Sequence, residues 1–194
     1  MSDNYKIILQ KDVPERMAIS GYGLKRLKNT RSLSDIKNIF EDRTHIKPQG
    51  FWYSLKWYWI ANLNEGYDYW NIDYSIDDNR KYFVTDRGFL YDITIDDNKF
   101  VHLGDKKNIN KIIQIRNYED MLDFFGEYKH SDSTDRHEII DWKKVYMDYG
   151  GIELAVIKHQ SYFDQEKRRW WLNWDVASGC VWNSDVVQKI KWIL

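Results

Sequence analysis

Strand-like and helix-like apolar patterns follow one another in this chain without a regular rhythm, and this irregularity constrains the fold most. Apolar residues recur with a period of two over residues 89–95, which is typical of a strand. Tyr118, Met121, Leu122 and Phe125 instead lie at helical spacing. Because a strict strand–helix–strand alternation is missing, the sequence predicts an α+β fold, a mixed or split antiparallel sheet with flanking helices.

Other short apolar or β-branched runs predict further strands. These are Tyr5–Leu9, Met17–Ile19, Phe51–Tyr53, Ile112–Ile115 and Ile152–Ile157. The turn-like sequence Asp96-Asp97-Asn98 leads from residues 89–95 into Phe100–Leu103, and the pair is predicted to form a hairpin.

Four more helices are predicted from capping residues and apolar spacing. They are Leu33–Phe40 after Ser32, Leu55–Leu63 after Ser54, Trp142–Tyr146, and Asp185–Trp192 with Asn183 or Ser184 as its cap. Gly150-Gly151 is expected to end the third of these helices. Ser54 therefore has an open alternative role as a helix N-cap.

Composition limits the class of protein. The 194 residues suit one domain, residues 1–194, and 43% of them are hydrophobic, which favours a globular chain over a disordered one. The 29 Lys and Arg residues nearly balance the 30 Asp and Glu residues, so the chain carries no strong nucleic-acid signature. The start lacks a signal pattern and apolar runs are too short for a membrane helix, so a cytoplasmic protein without a membrane partner is expected.

Metal and thiol chemistry find little support in the sequence. The single cysteine, Cys180, excludes an internal disulfide and a cysteine-based zinc site. The five histidines are scattered without metal-ligand spacing, so no metal is predicted. A buried, inert thiol is favoured over a nucleophilic one at Cys180, because no activating histidine stands near it in the sequence.

Three segments look too specialised for a generic core. Residues 47–54 (KPQGFWYS) join a Pro-x-Gly turn to a short aromatic strand that ends in a hydroxyl. Residues 149–154 (YGGIEL) place a carboxylate, Glu153, within an apolar strand. Residues 174–183 (WDVASGCVWN) combine two tryptophans, an aspartate, small residues and the cysteine.

The three segments together resemble a family of uncharacterised bacterial, phage and large-virus proteins. Its members carry a Lys-Pro-x-Gly-Leu-Trp-x-Ser segment, a Gly-Ile-Glu strand and a Trp-Asp-x-Ala-Ser-Gly-Cys-x-Trp block. This chain has Phe51 at the usual Leu position and Val181 at the usual Ile position. The layout of that family is in turn similar to the ADP-ribosyltransferase fold, whose enzymes cleave NAD as a substrate and transfer ADP-ribose to an acceptor.

The resemblance implies a set of site residues. In the ADP-ribosyltransferase fold an early strand carries Arg or His, a middle strand ends in Ser, Thr or Tyr, and a late strand carries Glu. Ser54 matches the middle position and Glu153 the late one, as the two catalytic residues. The early position is open, since Tyr5–Leu9 has no Arg or His and Arg16 comes only after Pro14. The NAD-binding residues that the resemblance implies are Gly50, Phe51, Trp52, Tyr53, Asp175 and Trp182.

Other interpretations stay open on the sequence alone. Glu153 is also compatible with a structural role, and Trp52 with a core position. The chain would then be a non-catalytic interaction domain with an aromatic groove for a partner protein. A tRNA 2′-phosphotransferase-like enzyme is disfavoured by the near-zero net charge. The acceptor of such an ADP-ribosyltransferase would be a protein, a nucleic acid or a small molecule, and the sequence does not indicate which. The enzyme hypothesis requires Ser54 and Glu153 to face one cleft.

Overall fold

The fold comes from a computed structural model that describes residues 6–9, 15–19, 47–55, 70–73, 81–84, 90–155, 169–174 and 177–192. Eleven strands lie within these ranges. They are β1 (Lys6–Leu9), β2 (Arg16–Ile19), β3 (Phe51–Leu55), β4 (Trp70–Asp73), β5 (Lys81–Val84), β6 (Leu90–Thr94), β7 (Phe100–Val101), β8 (Asn108–Ile115), β9 (Tyr149–Leu154), β10 (Ser178–Val181) and β11 (Lys189–Trp192). Two α-helices accompany them, α1 (Tyr118–Tyr128) and α2 (Trp142–Asp148).

Eight strands form a mixed sheet in the order β11-β6-β2-β3-β10-β9-β8-β7. Strand β8 runs parallel to both β7 and β9, and the other pairings in this sheet are antiparallel. Strands β1, β5 and β4 form a separate antiparallel sheet. The fold is therefore α+β, as the irregular sequence pattern predicts.

Helices α1 and α2 return the chain from β8 to its parallel neighbour β9. Each helix begins at an N-cap residue whose side chain accepts a hydrogen bond from a backbone amide. Asn117 accepts from the amide of Asp120 in α1, and Asp141 accepts from the amide of Lys144 in α2. The predicted helix at 118–125 is confirmed, but its buried face differs in part. Met121 and Phe124 are buried, whereas Leu122 is 38% exposed.

One face of the large sheet packs against these helices and against a 3₁₀ turn at Trp170–Asn173. The resulting core is rich in aromatic side chains, including Phe124, Tyr128, Trp142, Tyr146, Trp170, Trp171, Trp174 and Trp182. Because aromatic rings bury large areas, this layer holds β8, β9 and β10 firmly in place.

The opposite face of the sheet curves into a concave surface. Arg16 on β2 places its guanidinium 4.6 Å from the ring of Phe100 on β7. Four strands separate β2 from β7, and a flat sheet would hold them about 24 Å apart. The sheet therefore curves, so that side chains of β2 and β7 come into contact across its concave face. A second hydrophobic core lies on this face and includes Phe51, Tyr53, Ile93, Ile112, Val181 and Val186.

The strands predicted at residues 5–9, 17–19, 51–53, 89–95, 112–115 and 152–157 and the helix at 142–146 are confirmed within their described residues, with shifted ends. The predicted hairpin is wrong, because β6 pairs with β2 and β11, and β7 pairs with β8. Gly150 and Gly151 lie inside β9 and do not merely end a helix.

The predicted C-terminal helix is also wrong. Residues 184–186 form a 3₁₀ turn and residues 189–192 form β11, which completes the edge of the sheet against β6. Asn183 does act as a cap, since its side chain accepts from the Asp185 amide, but it caps the short turn. The helix expected at Leu33–Phe40 and all but Leu55 of Leu55–Leu63 lie outside the described residues.

Within the described ranges, neither helix has the length and apolar character needed to cross a membrane.

Candidate functional site

Glu153 is the next-to-last residue of β9, lies on the concave face of the sheet, and is only 1% exposed. The strand register aligns it with Gln114 of β8 on one side and with Gly179 of β10 on the other. Gly179 pairs in turn with Tyr53 of β3. These four residues form one row across four strands, and because side chains in such a row share a face, they converge above the sheet.

Three side chains donate hydrogen bonds to the Glu153 carboxylate. Arg16 approaches Oε2 with Nε at 2.8 Å and Oε1 with Nη2 at 3.4 Å. The Tyr53 hydroxyl donates to Oε2 at 3.0 Å, and Gln114 Nε2 donates to Oε1 at 2.8 Å. Since a carboxylate has about four acceptor positions, its hydrogen-bonding capacity is filled inside the protein.

Gly179 makes this convergence sterically feasible. A Cβ atom at position 179 would stand 2.2 Å from Cζ and 2.3 Å from the hydroxyl oxygen of Tyr53. The Tyr53 ring therefore lies directly over the Gly179 backbone and reaches across β10 to β9. The small residue in the Ser-Gly-Cys block thus has a specific role, which is to let an aromatic side chain cross the strand.

Arg16 comes to the same face through β2. It pairs with Leu55, two residues beyond Tyr53, and residues two apart on a strand share a face. Its side chain is buried between Glu153 and the ring of Phe100, and Nη1 lies 3.8 Å from the exposed Glu15 carboxylate. Burial alone would lower the pKa of Arg16, but the hydrogen bond to Glu153 and its charge outweigh burial and raise that pKa.

The Tyr53 phenol stays protonated in this setting. Burial raises its pKa well above the usual value of 10.0, and the negative charge of Glu153 raises it further. Tyr53 is therefore a neutral hydrogen-bond donor to the carboxylate at physiological pH, not a base.

Ser54 does not join this group. It pairs with Ser178 of β10, which pairs with Leu154 of β9, so its row is the one next to that of Glu153. Because neighbouring rows point to opposite faces, Ser54 and Glu153 lie on opposite sides of the sheet. The expectation that they share a cleft is wrong. Ser54 lies inside β3, so the alternative helix-cap role is wrong as well.

The other residues assigned to NAD lie in several places. Phe51 is buried in the concave core. Trp182 is buried in the aromatic core, where Nε1 donates to the Tyr149 carbonyl at 2.6 Å, and Trp52 packs partly buried against that core. Among the described members of this set, only Tyr53 makes a hydrogen bond to Glu153. Asp175 lies outside the described residues.

The Pro-x-Gly turn packs against β10 and α2. The Gln49 amide donates to the Tyr146 hydroxyl at 2.7 Å, and Cys180 Sγ lies 3.8 Å from the Pro48 carbonyl. A Cβ atom on Gly50 would be 2.6 Å from the Val181 carbonyl oxygen, so only glycine fits there. The first and third motif segments therefore pair as neighbouring strands, and their small residues serve this close packing.

Neither Arg16 nor Gln114 is predicted from the sequence as a site residue. A signal for Gln114 exists, since it is the single polar residue among the apolar positions 112–115 of β8. Arg16 begins a strand that the sequence predicts only from residue 17. Its long-range contact with residue 153 leaves no local pattern.

Among the described residues, no cluster of three or more His, Cys, Asp or Glu side chains has metal-binding geometry. No protein-family model, no curated protein and no solved structure matches this chain.

Proposed function

We propose that this protein is an ADP-ribosyltransferase-like enzyme that cleaves NAD with a site built on Arg16, Tyr53 and Glu153. One observation carries the proposal: an arginine of an early strand, a hydroxyl of a middle strand and a glutamate of a late strand meet on one face of the sheet. These are the residue types that the resemblance implies, in the same chain order. The enzyme hypothesis with Ser54 and Glu153 in one cleft fails, because these side chains point to opposite faces of the sheet. In the form proposed here, Tyr53 replaces Ser54 at the middle position.

The chemistry suits a carboxylate held in this way. When the bond between the nicotinamide nitrogen and ribose C1′ breaks, nicotinamide leaves with the electron pair and positive charge develops on the ribose. The negative charge of Glu153 stabilises that charge. The acceptor nucleophile then bonds to C1′, and its proton passes to Glu153.

Arg16 and Tyr53 have supporting roles. Arg16 holds the Glu153 carboxylate in place through an ion pair, with Arg16 Nε 2.8 Å from Glu153 Oε2. The Tyr53 hydroxyl, as a neutral donor at 3.0 Å, fixes the orientation of the carboxylate. A substrate must displace at least one of the three side chains that donate hydrogen bonds to Glu153. Gln114 is the most accessible of them, because it is only partly buried, whereas Arg16 and Tyr53 are buried.

The same observations favour a second candidate function. A carboxylate that is 1% exposed and accepts hydrogen bonds from three side chains also suits a polar core with no catalytic role. The protein would then be a non-catalytic interaction domain, in which the network fixes the curvature of the sheet and the aromatic residues bind a partner protein.

Nicotinamide release from NAD separates the two functions. The wild type is compared with Glu153→Gln, Tyr53→Phe and Glu138→Gln. Glu138 is a matched control, because it is also a buried carboxylate paired with an arginine, Arg169, but lies in a different network. A catalytic Glu153 predicts a loss of about a hundredfold or more in Glu153→Gln and little loss in Glu138→Gln.

Thermal unfolding with and without NAD or ADP-ribose completes the test. A ligand that binds the native state raises its melting temperature by mass action. Absence of nicotinamide release and of stabilisation by either ligand in the wild type would contradict the enzyme and leave the interaction domain. Equal loss of activity in Glu153→Gln and Glu138→Gln would show that lost stability, not lost chemistry, is responsible.

A further inference from the structure

The two oxygens of the Glu153 carboxylate have different hydrogen-bond partners. Oε2 accepts from Arg16 Nε at 2.8 Å and from the Tyr53 hydroxyl at 3.0 Å, and both of these side chains are buried. Oε1 accepts from Gln114 Nε2 at 2.8 Å, while Arg16 Nη2 is a weaker partner at 3.4 Å. Gln114 is therefore the main donor to Oε1, and the other two side chains hold Oε2.

Gln114 is also the least firmly held of the three donors. Its side chain is partly exposed, and its bond to Glu153 is the only side-chain hydrogen bond that it makes within the described part of the chain. Arg16 packs in addition on the ring of Phe100, and the Tyr53 ring lies over Gly179. Because a single hydrogen bond holds its amide, Gln114 is the donor that leaves the carboxylate at the lowest cost.

The accessible side of this network lies toward β7 and β8. Phe100 of β7 pairs with Ile112 of β8, two residues before Gln114, and residues two apart on a strand share a face. Phe100 and Gln114 are both partly exposed, whereas Glu153 itself is buried. A molecule that approaches the carboxylate from this side meets Gln114 first, and behind Gln114 it meets Oε1.

We infer that Gln114 covers the reactive oxygen of Glu153, and that an O–H or N–H group of the acceptor replaces its amide there. The inference rests on the proposed function, in which the acceptor bonds to ribose C1′ and gives its proton to Glu153. Oε1 takes that proton, since Oε2 stays bonded to Arg16 and Tyr53. The replacing group is a donor, because a buried carboxylate oxygen left without a hydrogen bond is unfavourable.

This role makes Gln114 a brake on the reaction. Only the fraction of molecules in which the amide has left Oε1 accepts a nucleophile, and removal of the hydrogen bond enlarges that fraction. A residue that merely supports the fold has the opposite effect, since its loss lowers stability and activity together. The sign of the change in rate therefore distinguishes the two roles.

Hydrolysis of NAD, with water as the acceptor, gives the first test. Gln114→Ala removes the donor and most of the side chain, and Gln114→Met keeps a similar length without the donor. Both variants should raise kcat for nicotinamide release about tenfold, the scale of one hydrogen bond to a charged group, with KM for NAD unchanged. Gln188→Ala, at an exposed glutamine before β11, is the matched control and should keep the wild-type values.

A second measurement needs no NAD. A water-soluble carbodiimide with glycine ethyl ester converts an accessible carboxylate into an amide, and mass spectrometry of the peptides gives the labelled position. Glu153 should be labelled far faster in Gln114→Ala than in the wild type. Glu138, a carboxylate buried against Arg169 in a different network, should react equally slowly in both proteins.

The outcomes separate this inference from the proposed function. Nicotinamide release by the wild type, with no gain in either Gln114 variant, would overturn the inference and leave the transferase. Absence of release from the wild type and from both variants would refute the two together. Equal labelling of Glu153 in the wild type and in Gln114→Ala would show that Gln114 is not its cover. Gln114→Met decides the kinetic test if Gln114→Ala does not fold.

Discussion

Arg16 Nε donates to Glu153 Oε2 at 2.8 Å, although 137 positions separate the two residues in the chain. This contact joins β2 to β9 across the concave face of the sheet, and both side chains are buried. Removal of either partner would leave a buried charge without its counter-ion, so the pair has consequences for stability as well as for the proposed chemistry.

A double-mutant cycle on Arg16 and Glu153 measures those consequences. We expect Arg16→Met or Glu153→Leu alone to lower the free energy of unfolding by about 3–5 kcal/mol, because each leaves the other charge buried and unpaired. The double variant should lose less than the sum of the two single losses. Urea unfolding provides the measurement, and additive losses would show that the two side chains do not interact.

Gly179 provides a steric test of the row through Tyr53. In Gly179→Ala the new methyl group would lie 2.2 Å from Tyr53 Cζ, and the buried Tyr53 ring would have to shift. We therefore expect the free energy of unfolding to fall by about 3 kcal/mol. Gly126→Ala is the matched control. Position 126 lies in α1 with open space around it, and alanine there should add about 0.5–1 kcal/mol through helix propensity. Equal stability of the two variants would contradict the position of the Tyr53 ring.

Stability should fall in alkaline solution. Burial raises the pKa of Tyr53, Tyr128, Tyr146 and Tyr149 in the folded protein above 10.0, their usual value and the one they regain on unfolding. The unfolded state therefore releases these protons first as the pH rises past 10, and each such tyrosine destabilises the fold by up to about 1.4 kcal/mol per pH unit. Their full contribution is present below pH 10.

Denaturant unfolding at a series of pH values checks this expectation. Tyr53→Phe cannot ionise, so the loss of stability per pH unit above 10 should be smaller in that variant than in the wild type. An identical pH dependence in the two proteins would show that Tyr53 does not have a raised pKa in the folded state.

Cys180 should be chemically inert while the protein is folded. Its side chain is fully buried between β3 and β9, so a thiol reagent reaches it only through opening of the sheet. We expect labelling in native buffer to be far slower than in denaturant. Rapid labelling of the folded protein would contradict the burial of β10.

Local sequence patterns were sufficient to predict an element of secondary structure where residues close together in the chain determine it. The alternation over residues 89–95 correctly predicted β6, and the helical spacing from Tyr118 correctly predicted α1, because both signals arise from residues close in sequence. The segment at residues 185–192 shows the limit. Val186, Ile190 and Ile193 fit a helical face, yet the unpaired edge of β6 offers hydrogen bonds that fix residues 189–192 as a strand.

The candidate site shows the same limit. The sequence singled out Glu153 as an unusual carboxylate within an apolar strand, and it placed the hydroxyl one residue too late, at Ser54. A shift of one residue on a strand moves a side chain to the opposite face, so only the register between β3, β10 and β9 could select Tyr53.

By itself, the sequence determined the α+β class, most of the short strands, the two helices and the three segments that contain the close packing, because these follow from local periodicity and from glycine at positions where no side chain fits. Tertiary structure alone decided the strand order, the curvature of the sheet and the meeting of Arg16, Gln114 and Tyr53 at Glu153. The physical reason is that strand pairing and burial of charge depend on residues far apart in the chain, whose contacts leave no periodic trace in the sequence.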